Sequence, residues 1–140
     1  MNTNHALMMR SASRALAVGA LAALTALVAL PGWARWELVT RDARGSALYI
    51  RIDSIRYDGD TRRFWALENL PAPDRDGDLS YRILWESDCA DRRVRPVQAE
   101  YFNGPMAGGT RTGGSQGGFE WASAAPGTPG DAVLRIVCVR

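Results

Sequence analysis

Two cysteines, Cys89 and Cys138, constrain the fold of this chain more than any other feature of its sequence. They follow an N-terminal stretch that contains arginine but no acid, and then an unbroken run of small and apolar residues over 15–30. This order predicts a secretory signal peptide over residues 1–34, cleaved after Ala34. The apolar run is shorter than the roughly 20 residues of a spanning helix, so we expect no transmembrane anchor after cleavage.

Export decides the chemistry expected of the two cysteines. Thiols oxidise outside the cytoplasm, and two cysteines allow one intramolecular pair. Closing a loop of roughly 49 residues would contribute on the order of 4 kcal/mol, a large share of the stability of a single small domain over residues 35–140. The alternative is a reactive thiolate at Cys89, activated by Arg92 and Arg93. The sequence favours the disulfide, because the one histidine, His5, leaves with the leader and no His base remains.

The predicted domain has balanced charge. The chain carries 17 basic residues, all of them arginine, and 15 acidic residues. Arg10 and Arg14 lie in the leader, so residues 35–140 carry 15 basic and 15 acidic side chains. The net charge therefore gives no reason to expect binding to nucleic acid or to an anionic membrane.

The domain has neither lysine nor histidine, and this removes most catalytic hypotheses. A Ser/His/Asp triad, a histidine zinc site and a Schiff-base lysine each lack a component, so we expect no enzyme, no cofactor and no metal. The remaining enzyme hypothesis is a hydrolase that uses Glu86 and Asp88 on one strand face. Three alternate acids partly resemble a calcium loop but miss the EF-hand pattern, so a solvated turn is expected at Asp74, Asp76 and Asp78.

Short alternating runs bounded by turn residues predict an α+β, mainly β, fold. The expected architecture is an antiparallel meander sheet of about five to six strands. The candidate strands lie at 36–40, 46–57, 61–70, 80–89, 92–102 and 119–121. Asp58-Gly59 predicts a hairpin between the second and third strands. Pro96 predicts an edge position or a bulge in the fifth, because proline cannot donate to a ladder.

The last third of the chain contains two different segments. Residues 103–118 are rich in glycine and predict a flexible loop or a loose hairpin, because ordering many glycines costs backbone entropy. Further on, Thr128 can cap a helix, Pro129 suits its first position, and Asp131 falls three residues after the cap. An apolar stripe follows, so we expect a short C-terminal helix that the disulfide ties to the sheet.

Several short motifs occur in a fixed order along the predicted domain. They comprise Trp36; Tyr49, Asp53, Ser54 and Ile55; Trp65 and Leu67; Ser80; Glu86, Asp88 and Cys89; Arg92, Arg93 and Arg95; Tyr101; Met106 and Gly109; Trp121; residues 126–128; and Cys138. This order resembles the surface-adhesin protein E family over essentially the whole domain. The resemblance implies an exported antiparallel sheet with an attached C-terminal helix, and for the founding type adhesion to host matrix and plasma proteins. The chain departs from the family in using only arginine and in its longer Gly-rich segment.

These features together predict a non-enzymatic binding module in the periplasm, on the outer surface or secreted. The candidate contact residues are Arg92, Arg93, Arg95 and Arg111, because guanidinium groups form bidentate contacts with the carboxylates or sulfates of a protein or glycan. The alternative role of the first three is pairing with acids across the strands, namely Glu86, Asp88 and Asp91.

Two further alternatives concern the tryptophans and the assembly state. Trp36, Trp65, Trp85 and Trp121 could form a platform for sugar, but core packing is expected for most of them. The second function hypothesis is a periplasmic structural or assembly subunit that self-associates, as in a homodimer, through an exposed strand edge.

Overall fold

The computed structural model describes residues 36–139, so the predicted leader and its cleavage point lie outside the described residues. Eight strands and one helix follow one another within residues 36–139. They are β1 (Glu37–Arg41), β2 (Ala47–Ile50), β3 (Arg56–Asp58), β4 (Thr61–Asn69), β5 (Ser80–Asp88), β6 (Arg93–Phe102), β7 (Arg111–Gln116), β8 (Ala122–Ser123) and α1 (Pro129–Val137). Short 3-10 turns lie at Ile52–Ser54 and Pro105–Ala107.

All strands belong to one antiparallel sheet with the order β1-β2-β4-β5-β6-β7. The short strand β3 extends the pairing of β4 past the end of β2, and β8 does the same for β6 past β7. The predicted mainly β fold with a C-terminal helix is confirmed. The main path has six strands, and the two short strands were not predicted separately.

The hydrophobic core lies between α1 and one face of the sheet. Helix residues Val133, Leu134 and Val137 are almost fully buried against Phe64 and Ile50 from the central strands. Complete burial of one such side chain is worth about 1.5–3 kcal/mol, so this contact provides much of the domain's stability. Because side chains alternate along a strand, the other residues of β4, β5 and β6 point to the opposite face, which α1 does not cover.

The local signals in the sequence explain why α1 begins and ends where it does. The Thr128 hydroxyl accepts a hydrogen bond from the Asp131 amide at 3.3 Å, and Pro129 occupies the first turn. The helix ends at Val137, and the next residue, Cys138, caps it and forms a disulfide with Cys89, just after β5, with a Cα–Cα distance of 5.6 Å. The predicted disulfide is confirmed, and it joins the end of the helix to a central strand.

The prediction of one continuous strand over 46–57 is wrong, because the 3-10 turn at Ile52–Ser54 separates β2 from β3. The Ser54 hydroxyl donates to the Arg51 carbonyl at 2.6 Å and accepts from the Trp65 amide at 2.9 Å. The side chain of Asp53 accepts from Arg51 Nε at 2.9 Å. Such local side-chain bonds compete with the ladder, and alternation of apolar residues does not reveal them.

Of the two structures predicted for the Gly-rich segment 103–118, a flexible loop and a hairpin, the hairpin is observed. Strand β7 lies in this segment and pairs with β6 along most of β7. A Cβ on Gly114 would lie 2.7 Å from the Ala99 carbonyl oxygen, and one on Gly113 would lie 3.2 Å from the Tyr101 ring. The glycines therefore permit close backbone approach in a strand, and their number alone suggested mobility.

Two predicted turn features are confirmed. Gly59, with a φ of 54°, lies in the hairpin between β3 and β4, where the left-handed conformation favours glycine. Pro96 lies at a bulge where β5 and β6 change register, and β6 is an interior strand of the sheet. The bulge alternative for Pro96 is therefore correct, and the edge alternative is wrong.

Removing the disulfide should lower the stability of the domain substantially. The Cys89→Ser/Cys138→Ser variant loses a covalent closure over 49 positions of sequence separation. We expect a loss of about 4 kcal/mol and a fall in melting temperature on the order of 20 °C, because the unfolded chain gains entropy. Thermal unfolding followed by circular dichroism measures this change. Wild-type protein with reductant is the matched control, and an unchanged melting temperature would contradict the expectation.

Candidate binding face

The face of the sheet opposite α1 carries a network of ion pairs between arginine and acidic side chains. We call it the arginine face and define it by Arg63, Arg82, Arg93, Arg95 and Arg111 together with Glu86, Asp88 and Glu100. Each strand contributes alternate positions, so side chains on neighbouring strands stand beside each other in register.

Glu86 lies at the centre of the first cluster. It is paired in register with Arg63 on β4 and with Arg95 on β6. Arg63 Nη2 donates to Oε2 at 2.6 Å, and Arg95 Nη2 donates to Oε1 at 2.7 Å. One carboxylate is thus shared by two guanidinium groups from opposite sides.

Arg93 and Arg95 share one aromatic ring. Arg93 donates to Asp88 Oδ2 at 2.9 Å, and it also approaches Asp91 at 3.1 Å. Its Cζ lies 4.8 Å from the centroid of Trp121, and the Cζ of Arg95 lies 4.3 Å from the same ring. The cross-strand pairing predicted for Arg93 and Arg95 is confirmed, and the cation–π contacts fix both side chains further.

A second cluster lies further along the same face. Arg82 contacts Glu100 at 2.5 Å, and Arg111 contacts the other oxygen of Glu100 at 3.6 Å. The Cζ of Arg82 lies 5.4 Å from the Trp65 ring and 5.5 Å from the Phe102 ring. In this cluster, too, one carboxylate forms ion pairs with two arginines.

The two clusters present guanidinium groups outward and carboxylates inward. The side chains of Arg63 and Arg111 are 53% and 56% exposed, whereas those of Glu86 and Glu100 are 10% and 14% exposed. A ligand that approaches this face meets donors first. The face is therefore locally basic although the predicted domain is neutral overall.

The four predicted contact residues lie at three separate locations in the structure. Arg93 and Arg95 meet over Trp121, and Arg111 belongs to the second cluster. Arg92 instead reaches the buried Asp131 at the start of α1, where Nη2 and Oδ1 lie 2.6 Å apart. Pairing with the acids near the strands was the alternative for Arg92, Arg93 and Arg95 together, and Arg92, whose φ is 49°, pairs instead with an acid of the helix.

Sequence reasoning missed three contributors to this face. Arg63 and Arg82 lie on β4 and β5, and their opposition to Glu86 and Glu100 follows only from strand register. Trp121 comes after the Gly-rich segment and was assigned to an isolated extended run. Its role could have been suggested only by pairing β8 with β6, which no local pattern predicts.

All four tryptophans within residues 36–139 are partly buried. Trp85 packs against the core cluster, as expected, while Trp65 and Trp121 lie under arginines. An open aromatic platform for sugar is therefore not formed by these rings. Trp65 and Trp121 instead contact guanidinium groups and help to orient them.

The hydrolase hypothesis requires two carboxyl groups whose pKa values are shifted apart. Hydrogen bonds from Arg63 and then Arg95 lower the pKa of Glu86 despite its burial. The Asp91 amide and then Arg93 lower the pKa of Asp88. Neither carboxyl therefore has the raised pKa that a proton donor requires at neutral pH.

The expected solvated turn at 74–78 is partly wrong. Asp74 Oδ1 accepts from the amides of Asp76 and Asp78 at 2.9 Å, which is a turn stabilised by its own side chain. Asp78 is only 4% exposed and accepts a hydrogen bond from Thr112 on β7. Within residues 36–139, no group of His, Cys, Asp and Glu is arranged to hold a metal ion.

The fold and the arginine face define a class of small disulfide-bonded β domain with one helix behind the sheet and a basic surface in front of it. A family model described as surface-adhesin protein E matches residues 36–139. The chain belongs to the surface-adhesin protein E family. It is accordingly similar to adhesins of the cell surface, as the resemblance of its motifs implied.

Solved structures of protein E from Haemophilus influenzae have the same fold. One shares 18% identity with a TM-score of 0.56, covering 74% of this chain and 83% of that chain. A second crystal form shares 22% identity with a TM-score of 0.54, covering 65% and 79%. No match is found among curated proteins. Among the described residues, no helix has the length and apolar character needed to cross a membrane.

The buried carboxylate at the start of α1 should make stability depend on pH. The hydrogen bond from Arg135, then the Gly127 amide, and the charge of Arg92 lower the pKa of Asp131. A lowered folded pKa adds stability above the unfolded value of about 3.9, and this stability is lost as the pH falls through the folded value. The free energy of unfolding should therefore fall below about pH 4.

The Asp131→Asn variant tests this expectation. It should be less stable than wild type at pH 7, and the difference should shrink toward pH 2, because the wild-type carboxyl is then protonated. Urea denaturation across this pH range measures it. The Glu37→Gln change at an exposed position is the control and should follow wild type. A difference that stays constant with pH would show that the charge of Asp131 is not responsible.

Proposed function

We propose that this protein is an exported, non-enzymatic binding module whose arginine face binds a protein or glycan rich in carboxylates or sulfates. The observation that carries the proposal is the layering of the face, with exposed guanidinium groups above buried carboxylates. A guanidinium whose carboxylate partner is shared with a second arginine keeps donors for a further acid. Membership of the surface-adhesin protein E family supports a binding role.

The rigid arrangement of the face supports selective binding. Arg93 and Arg95 are held between acids on one side and Trp121 on the other, so less side-chain entropy is lost when a ligand is bound. Arg63 shares Glu86 with Arg95, Arg111 lies in the second cluster, and these two are the most exposed arginines of the face. We expect these two to supply new contacts, while the inner pair supplies a fixed surface.

The proposed location is outside the cytoplasm, in the periplasm, on the outer surface or in the medium. The disulfide supports this proposal, because such bonds persist mainly in oxidising compartments. The predicted leader over residues 1–34 supports it independently of the fold. Detection of the oxidised protein outside the cytoplasm, and of its mature start by mass spectrometry, would test both.

Neutralising the exposed arginines should weaken binding without unfolding the domain. We expect Arg63→Gln/Arg111→Gln to elute from immobilised heparin at a clearly lower salt concentration than wild type, because two outward contacts to sulfate are lost. Arg41→Gln/Arg44→Gln removes the same charge from exposed positions near β1 and is the matched control. Thermal unfolding checks that all proteins are folded. Equal elution of the two variants would show that net charge, and not this face, governs retention.

Self-association is a second candidate function, and one observation favours it. β1 forms an outer strand of the described sheet, and Leu38 on this strand is 49% exposed. An open edge with an exposed apolar side chain can pair with a second copy. Light scattering coupled to size exclusion should then give twice the monomer mass for wild type, and Leu38→Lys should shift it toward the monomer. A monomeric wild type at high concentration would remove this candidate.

A further inference from the structure

A groove opens on the same side of the sheet as α1, toward the start of β5 and the end of β6, beside the loop that contains Asp74, Asp76 and Asp78. Its volume is about 390 Å³, within the range of roughly 300–1,000 Å³ that is typical of small-molecule sites. Tyr81, Tyr101 and Phe119 supply aromatic surface, and Asp74, Asp76 and Asp78 form one rim. None of the arginines of the arginine face lines it, since those side chains point to the other side of the sheet.

The aromatic wall is held in place by hydrogen bonds. The rings of Tyr81 and Tyr101 are 5.5 Å apart between centroids and nearly perpendicular, at 79°. The Tyr81 hydroxyl donates to Asp74 Oδ2, and the hydroxyls of Tyr101 and Ser115 lie 3.0 Å apart. The groove is thus formed before any ligand arrives, which reduces the entropy lost on binding.

Within the described part of the chain, the acidic rim has no cationic partner. Among residues 36–139, no ion pair joins Asp74, Asp76 or Asp78 to an arginine, in contrast to Glu86, Asp88 and Glu100 on the arginine face. Asp78 is 4% exposed, and the partner of its carboxylate is the neutral Thr112 hydroxyl. A buried carboxylate without a cation is costly, and a cation that enters the groove relieves this cost.

The charge state of the rim agrees with this geometry. The hydrogen bond from the Tyr81 hydroxyl, followed by those from backbone amides, lowers the pKa of Asp74. Burial, and then the same contact with Asp74, raise the pKa of Tyr81. At neutral pH the wall is therefore a neutral phenol beside an ionised acid.

We propose that this groove binds a small organic amine, with its ammonium group at the Asp rim and its apolar body against the tyrosine and phenylalanine rings. Carboxylates and aromatic faces both attract cations, and the apolar wall requires a hydrophobic body beside the charge. A small molecule is chosen because the volume suits one ligand of this size. The proposal adds a second site, opposite in charge and on the other side of the sheet from the arginine face.

Three matched probes test the charge requirement. 2-Phenylethylamine should bind the intact exported protein saturably, as measured by isothermal titration and by NMR shifts of the Tyr81, Tyr101 and Ser115 amides. The neutral 2-phenylethanol and the anionic 3-phenylpropionate should bind at least tenfold more weakly. Equal binding of the amine and the alcohol would overturn the proposal, because the rim would then contribute nothing.

Two variants and a control locate the site. Asp76→Asn should weaken amine binding about fivefold, since one nearby charge is removed from a partly solvated rim. Asp76 is exposed, so this change avoids the folding roles of Asp74 and Asp78. Asp58→Asn removes an equal charge at the opposite end of β4 and β5 and should leave affinity unchanged.

The second variant, Phe119→Leu, should bind 2-phenylethylamine more weakly than wild type. Its near-ultraviolet circular dichroism spectrum should match that of the wild-type protein. Wild-type affinity in both Asp76→Asn and Phe119→Leu would refute the assignment of this groove. A lysine-containing peptide that binds more than tenfold tighter than 2-phenylethylamine would also overturn it, because the occupant would then be a protein side chain.

Discussion

The attachment of α1 to the central strands is the constraint on which the rest of the structure depends. A nine-residue helix is not stable alone, and it is held at its start by the ion pair of Arg92 with Asp131 and at its end by the disulfide. With both ends fixed, the helix covers Phe64 and Ile50 and closes the core on one side. The opposite side of the sheet is then free to carry polar and charged residues without loss of the hydrophobic core.

This division between faces explains how a neutral domain can present two surfaces of opposite charge. Arginines and their acids alternate with core residues along the same strands, so strand register alone brings Arg63, Glu86 and Arg95 together. Three acids that form no ion pair within residues 36–139, Asp74, Asp76 and Asp78, lie in the loop between β4 and β5, beside the aromatic groove. Net charge summed over the chain conceals both surfaces, and the sequence count of acids and arginines is therefore a poor guide to binding.

The sequence predicted the elements whose signals are local. Thr128 and Pro129 indicated the start of α1, and Gly59 indicated a hairpin. The presence of two cysteines in a chain predicted to be exported indicated the disulfide. It failed where the deciding contact is remote. The Ser54 hydroxyl interrupts a strand by bonding to β4, and Gly114 belongs to a strand because it fits against Ala99. For the same reason Arg93 and Arg95 could be paired with neighbouring acids, but Trp121 and Asp131 could not be foreseen as partners.

The disulfide also determines how the domain would respond to mechanical tension. A pull applied beyond residue 138 reaches Cys89, at the end of an interior strand, through a covalent bond. The intervening chain of 49 positions cannot lengthen while that bond is intact, although unlocked it could extend by roughly 3.5 Å per residue. Load therefore passes to the end of β5 without running along β6, β7 or α1, and these elements cannot be drawn out along the direction of pull until the sulfur–sulfur bond is reduced.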